Sequence, residues 1–133
     1  MTRINSNLDP KLLRRAHLIA EWREMPMVPA ALRRSLRTKT PEQIIQSIPK
    51  NFTLNTGHVK FFYNKLTFLK TRFNLIADEM ERRGYTPDRS RATAFENFDK
   101  IWYGTWTPTA SDDVIIVNRI NQRIAEKPHL YKD

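Results

Sequence analysis

The sequence predicts an all-α fold, a single compact domain over residues 1–133 with three main helices and a long irregular connection between the second and the third. Three observations carry this. Two long stretches repeat apolar residues three and four apart, the period of one helix face, and residues that start and stop helices flank them. The β-branched run Val114, Ile115, Ile116 and Val117 has no second strand in the chain to pair with. At 133 residues there is room for one core and little left for another.

The first helix follows Asp9 and Pro10, an N-cap and a first-turn proline. Leu12, Leu13, Ala16, Ile19 and Ala20 mark one buried stripe on a helix running to about Met25, where Pro26 and Pro29 kink or break it. The segment "AALRRSLR" beyond them reads as helical again. In the second helix Phe62, Leu66, Leu69, Phe73, Ile76 and Met80 alternate four and three apart, with Thr56 as cap and Gly84 as stop. At about 1.5 Å per residue this helix would be roughly 40 Å long, a central post for the rest. Residues 85–110 form the connection, with Phe95, Phe98 and Trp102 on a short helix of two turns that serves packing. The third helix opens at Ser111, places Asp112 and Asp113 against the positive end of its dipole, and continues to Lys127.

The 23 Lys and Arg against 14 Asp and Glu give a net charge of +9, which makes nucleic acid or an anionic surface the expected partner. No uncharged run reaches the ~18 residues of a membrane span, and no signal-peptide pattern is present, so the chain reads as a cytoplasmic protein without a membrane partner. With no cysteine, disulfides, thiolate zinc sites and thiol nucleophiles are excluded. Three glycines and no Gly-rich loop argue against nucleotide hydrolysis. Basic charge concentrates in residues 11–39, which hold eight Lys and Arg against Glu21 and Glu24.

Four features could carry chemistry. Arg119, Arg123 and Lys127, four apart, form a row of cations suited to successive phosphates, although such a row is also ordinary solvated helix surface. His17, Glu21 and Glu24 fall near one face of the first helix, but Arg14 and Arg23 beside them oppose a bound cation, and Glu21 is expected to pair with a neighbour four residues away. No metal or cofactor is expected. Glu24 stands just before the Pro26 break, where helices often border a site. The start "MTRIN" places a small Thr after Met1, so removal of Met1 would expose the α-amine of Thr2, a potential nucleophile.

Three stretches read together, "MTRIN", "HLIAEWREMP" and "GHVKFFYNKLTFLKTR", resemble the pyrimidine-dimer DNA glycosylases of the phage endonuclease V type, and the resemblance spans residues 2–132. It implies a monomeric, metal-free repair enzyme acting on duplex DNA that holds pyrimidine dimers or abasic sites. The enzyme would cleave the glycosidic bond of the dimer's 5′ base and then nick the strand. The resemblance implies Thr2 as nucleophile and Glu24, in "REMP", as the catalytic carboxylate. It implies DNA contacts at Arg3, Arg23, Arg119 and Arg123, with His17 near the site. An α-amine, with a pKa of ~7.7 to 8.0, is partly unprotonated at neutral pH and can attack C1′ of the sugar to give an imine. Glu24 would stabilise the positive transition state and move protons during elimination. A stacked base hides its sugar carbon, so the duplex must bend and extrude a nucleotide, which a distorted dimer makes cheaper. The sequence departs from the family pattern at Met27, where an Arg is common, and in the tail "KPHLYKD", which keeps only Tyr131 and Lys132 of an aromatic and basic end. Two alternatives stay open: a non-catalytic basic DNA-binding protein, and a glycosylase or lyase for related damage such as abasic sites.

Overall fold

Prolines divide the basic N-terminal third of the chain into short helices. In the computed structural model, which describes residues 4–54 and 56–131, Asp9 caps only the 3-10 turn Pro10–Leu12, accepting from the Lys11 amide at 3.0 Å. Leu13 is extended, and helix α1 runs Arg15–Glu24. The turn and the extended residue shift the phase of the helix, so of the expected stripe only Leu13 is buried. Leu12 is exposed and Ala16, Ile19 and Ala20 are half-buried, while His17, Leu18, Glu21 and Trp22 face inward. Trp22 stacks on Phe73 with centroids 4.2 Å apart.

The break at Pro26 falls where the sequence placed it, with Pro26 as N-cap of α2, Met27–Ser35. Pro29 does not break α2, because the amides of a first turn have no intrahelical acceptor to lose. Helix α3, Pro41–Ser47, was not anticipated, yet its signal is local. Thr40 Oγ1 accepts from the Gln43 amide at 3.2 Å and the Gln43 side chain accepts from the Thr40 amide at 2.9 Å, a capping box with proline in the first turn.

The expected 40 Å post is two helices, α4 His58–Phe61 and α5 Leu66–Arg82, and Gly57 rather than Thr56 caps the first. Between them the backbone turns aside to meet the connection. The Asn64 carbonyl accepts from the Gly104 amide at 3.0 Å, and Lys65 forms an isolated antiparallel bridge with Tyr103. A Cβ at position 104 would stand 2.2 Å from the Asn64 oxygen, so this approach requires glycine. Lys65 Nζ donates to the Phe61 carbonyl at 2.8 Å and so caps α4; partial burial lowers its pKa to about 8. The 17 residues of α5 span about 25 Å at the standard helical rise. The apolar spacing itself was right: Phe62, Leu66, Leu69, Phe73, Ile76 and Met80 are all buried. Gly84, at φ +93°, ends α5 in a Schellman motif, its amide on the Glu81 carbonyl at 3.0 Å and that of Tyr85 on Met80 at 2.9 Å.

Residues 85–110 hold no α-helix apart from the start of α6. Two 3-10 segments, Arg89–Phe95 and Lys100–Trp102, replace the expected two-turn helix, and Asp88 and Asp99 cap them. Their packing role holds, since Phe95 and Trp102 are buried and Arg33 lies 4.4 Å over the Phe98 ring. Helix α6, Ala110–Glu126, begins one residue earlier than expected, with Thr109 and Asp112 forming a second capping box. Its Ile116 is buried, while Val114, Ile115 and Val117 are exposed.

Among the described residues there are six α-helices and no strand, so the all-α class holds and the three-helix outline does not. The buried side chains join in a cluster from Ile4 through α1, α2 and α5 to Trp102 and Ile116. No helix among them is long and apolar enough to cross a membrane.

Candidate active site

Residues 4–6 are buried although Asn5 and Ser6 are polar, and the segment from Ile4 to Leu8 is held from four helices. The Ile4 amide donates to Nε2 of His58 on α4 at 3.0 Å. Asn5 Nδ2 donates to Glu21 Oε1 on α1 at 2.7 Å, and Ser6 Oγ to Asp113 Oδ1 on α6 at 2.9 Å. The Leu8 carbonyl accepts from Arg72 Nη1 on α5. Ser6 takes φ +56°, a left-handed value uncommon outside glycine, which turns the chain between these anchors. Thr2 and Arg3 themselves lie outside the described residues.

Because Nε2 of His58 accepts, its proton must be on Nδ1, which donates to the Thr53 carbonyl at 2.8 Å. Burial, aided by the charge of Arg119, lowers the His58 pKa to about 4 against the opposing pull of the Thr53 bond. Phe52 and Phe62 pack edge-on against the ring, with centroids 5.6 and 5.4 Å away.

Glu21 does not pair within its own helix as expected. Its carboxylate receives Arg72 Nε at 2.7 Å and Nη2 at 3.0 Å, from 51 residues away, with both side chains fully buried. His17, which the resemblance puts near the site as a candidate DNA-binding residue, is 4% exposed and stacks on Tyr131, with centroids 4.3 Å apart and planes 12° from parallel. Arg14 Nη1 holds the Tyr131 carbonyl at 2.7 Å, so the tail docks on α1 through the one aromatic it keeps. Among the described residues no three His, Asp or Glu side chains converge as a metal would require.

Glu24 is the last residue of α1, half-buried beside the Pro26 break. Its Oε2 is shielded from solvent and has no hydrogen-bond partner among the described residues. A buried carboxylate oxygen left in this way is uncommon, because it forgoes hydration without replacing it. Glu24 stands one turn beyond Glu21, about 4.5 Å along the helix axis, and Glu21 is where Asn5 ties down the N-terminal segment.

Cations divide into two groups. Near the end of α5, Glu79 holds Arg82 and Arg83, each at 2.6 Å, and Arg89 pairs with Asp78 and Glu81. The hydrogen bonds from Arg82 and then Arg83 lower the Glu79 pKa to about 2. On α6, Arg119 and Arg123 instead line an open groove of about 580 Å³ with Leu54, Ile115, Asn118, Gln122 and Glu126. Arg123 has no ion-pair partner among the described residues. Lys127 is exposed as the C-cap of α6 and is not among the residues lining this groove. Arg23 is exposed at the end of α1, its carbonyl accepting from Arg91 at 3.1 Å.

The family model for pyrimidine dimer DNA glycosylases matches residues 1–93. The chain belongs to the pyrimidine dimer DNA glycosylase family. The match takes in His17, Glu21, Arg23, Glu24, His58 and Arg72 and ends before α6, so the groove arginines lie beyond the matched part. As a family of DNA glycosylases it implies a DNA substrate, in keeping with the +9 charge. Sequence reasoning gave no role to Asn5, Ser6 or His58. His58 sits inside the quoted stretch "GHVKFFYNK", and a lone His among aromatic residues was the available signal.

Proposed function

We propose that this glycosylase cleaves the glycosidic bond of the 5′ base of a cyclobutane pyrimidine dimer in duplex DNA and then nicks the strand by β-elimination. The nucleophile is the α-amine of Thr2 after loss of Met1, and Glu24 is the acid–base group and transition-state stabiliser. The observation that carries this is Glu24 Oε2, without a hydrogen-bond partner among the described residues and one turn from the Glu21 carboxylate that anchors Asn5.

The neutral amine forms a bond to C1′ as the bond from C1′ to the base nitrogen breaks, and the base departs with that electron pair and gains a proton. Opening of the sugar ring gives an iminium, with Glu24 relaying the proton to the ring oxygen. The iminium withdraws electrons from C2′, whose proton is removed; the C3′–O bond then breaks and the 3′ phosphate leaves. Glu24, fixed at a helix end, supplies negative charge beside the developing cation and exchanges protons in the later steps. Abasic sites enter the same sequence after base loss, so the lyase half alone acts on them.

Arg3, Arg23, Arg119, Arg123 and Lys127 grip the phosphates, a sequence-independent and salt-sensitive attachment. His17, buried and stacked on Tyr131, serves to hold the tail on α1 rather than to touch the phosphates. The test is reductive trapping. Borohydride added to Met1-processed protein with ultraviolet-irradiated duplex, and separately with an abasic-site duplex, is expected to give a covalent adduct that maps to Thr2. No adduct with either DNA overturns the proposal.

A further inference from the structure

We infer that His58 is a positioning residue for the N-terminal amine, its Nε2 holding the Ile4 amide and thereby setting where the attacking nitrogen stands. The inference rests on Thr2 being the nucleophile. A side-chain nucleophile is placed by its rotamer and its helix, but a terminal amine has neither. Its place is set by the last anchored peptide group behind it. Virtual bonds of 3.8 Å put the Thr2 Cα within about 7.6 Å of that of Ile4. The Ile4 amide, bound to His58 at 3.0 Å, is the first described anchor along the chain.

An imidazole suits this task for reasons visible around it. Among the described residues there is no strand for the N-terminal segment to lie against, and the Ile4 amide takes its acceptor from a side chain. A neutral His accepts at one nitrogen only when its other carries the proton, and the Thr53 carbonyl at 2.8 Å fixes that tautomer. Phe52 and Phe62 hold the ring edge-on, while Ile4 is itself wholly buried, so both ends of the bond are confined. Arg119, which lines the groove, is close enough to disfavour the imidazolium form. His58 therefore ties the segment carrying the nucleophile to α4 through one confined contact.

Two amide variants separate this role from simple core packing. In His58→Gln the side-chain oxygen reaches the place of Nε2 and can accept from Ile4. In His58→Asn the shorter amide stands near Nδ1, where it can serve Thr53 but not Ile4. The readouts are the single-turnover rate of borohydride-trapped imine on an abasic-site duplex, the affinity for that duplex, and the melting temperature. A misplacement of about 1 Å can cost 10²-fold in rate, so His58→Asn is expected to lose between about 10- and 100-fold with DNA affinity kept, and His58→Gln to regain most of it. A wild-type rate in His58→Asn, or equal losses in both variants, overturns the inference. Nitrogen NMR of the unmodified protein gives a test that needs no folded variant: a protonated Nδ1 and a bare Nε2 are expected, and a proton on Nε2 overturns it. Mapping the wild-type adduct to a residue other than Thr2 instead sinks the reading beneath, before any variant is made.

Discussion

Glu21 and Arg72 meet as a two-bond fork inside the core, at 2.7 and 3.0 Å, and each also holds the N-terminal segment, Glu21 through Asn5 and Arg72 through the Leu8 carbonyl. Removing one partner leaves a buried charge uncompensated, so Arg72→Met is expected to cost about 3–5 kcal/mol, read from urea denaturation. Replacing both, as Glu21→Leu with Arg72→Met, removes the stranded charge and is expected to recover stability. Activity should not recover with it, because Asn5 and Leu8 still lack their partners. Full recovery of the trapping rate in the double variant would show that these tethers do not position the site.

Glu24 separates chemistry from binding. Glu24→Gln keeps the shape of the side chain and removes its ability to carry a negative charge or exchange protons. A positioned acid or base contributes about 10²- to 10⁴-fold, and a loss of that order is expected in single-turnover base release. DNA affinity in a gel-shift titration should stay at the wild-type level. Unchanged turnover would remove Glu24 from the mechanism.

Helical period and helix-end chemistry were legible at several places where they depend on neighbours in sequence. The Pro26 break, the Gly84 stop, the Asp112 and Asp113 start of α6 and the inward face of α5 follow from local rules. Much of what failed depends on contacts made at a distance, although the local capping box of α3 and the 3-10 turn before α1 were missed as well. The Lys65–Tyr103 bridge splits the expected post, and nothing in "FYNKL" announces a partner 38 residues on. Glu21 pairs across 51 residues rather than four, for the same reason. In the site, the family resemblance singled out Glu24, and the structure adds a shielded oxygen with no hydrogen-bond partner among the described residues. Asn5 and His58 stayed hidden because their value lies in whom they touch, and residue type alone gives no sign of that.

The division of cations predicts a salt signature. Each phosphate contact adds about 0.9 to the slope of log affinity against log salt, so Arg123→Ala is expected to lower the slope by roughly that amount and to weaken damaged and undamaged duplex alike. Arg82→Ala serves as the control, since Glu79 already neutralises Arg82 at 2.6 Å. Equal slopes for the wild type and Arg123→Ala would place the groove away from the DNA.

His58 also sets how stability depends on pH. Its folded pKa of about 4 lies below the ordinary 6.5, so between these values the unfolded chain binds a proton that the folded protein refuses. Stability is therefore expected to be unaffected by His58 above pH 6.5 and to fall as the pH drops towards 4, by about 3 kcal/mol at ~1.36 kcal/mol per unit. Glu79 acts in a lower window. Its pKa falls from 4.5 to about 2 through Arg82 and Arg83, so its contribution is present above pH 4.5 and lost as pH falls towards 2. The two windows are separable by substitution. Melting temperatures recorded from pH 7 downward should decline in the wild type across the upper window and stay flatter in His58→Gln, which has no group to titrate there. A parallel decline in both proteins would mean that His58 is not held neutral by the fold, and with it the imidazole could not accept the Ile4 amide over that range.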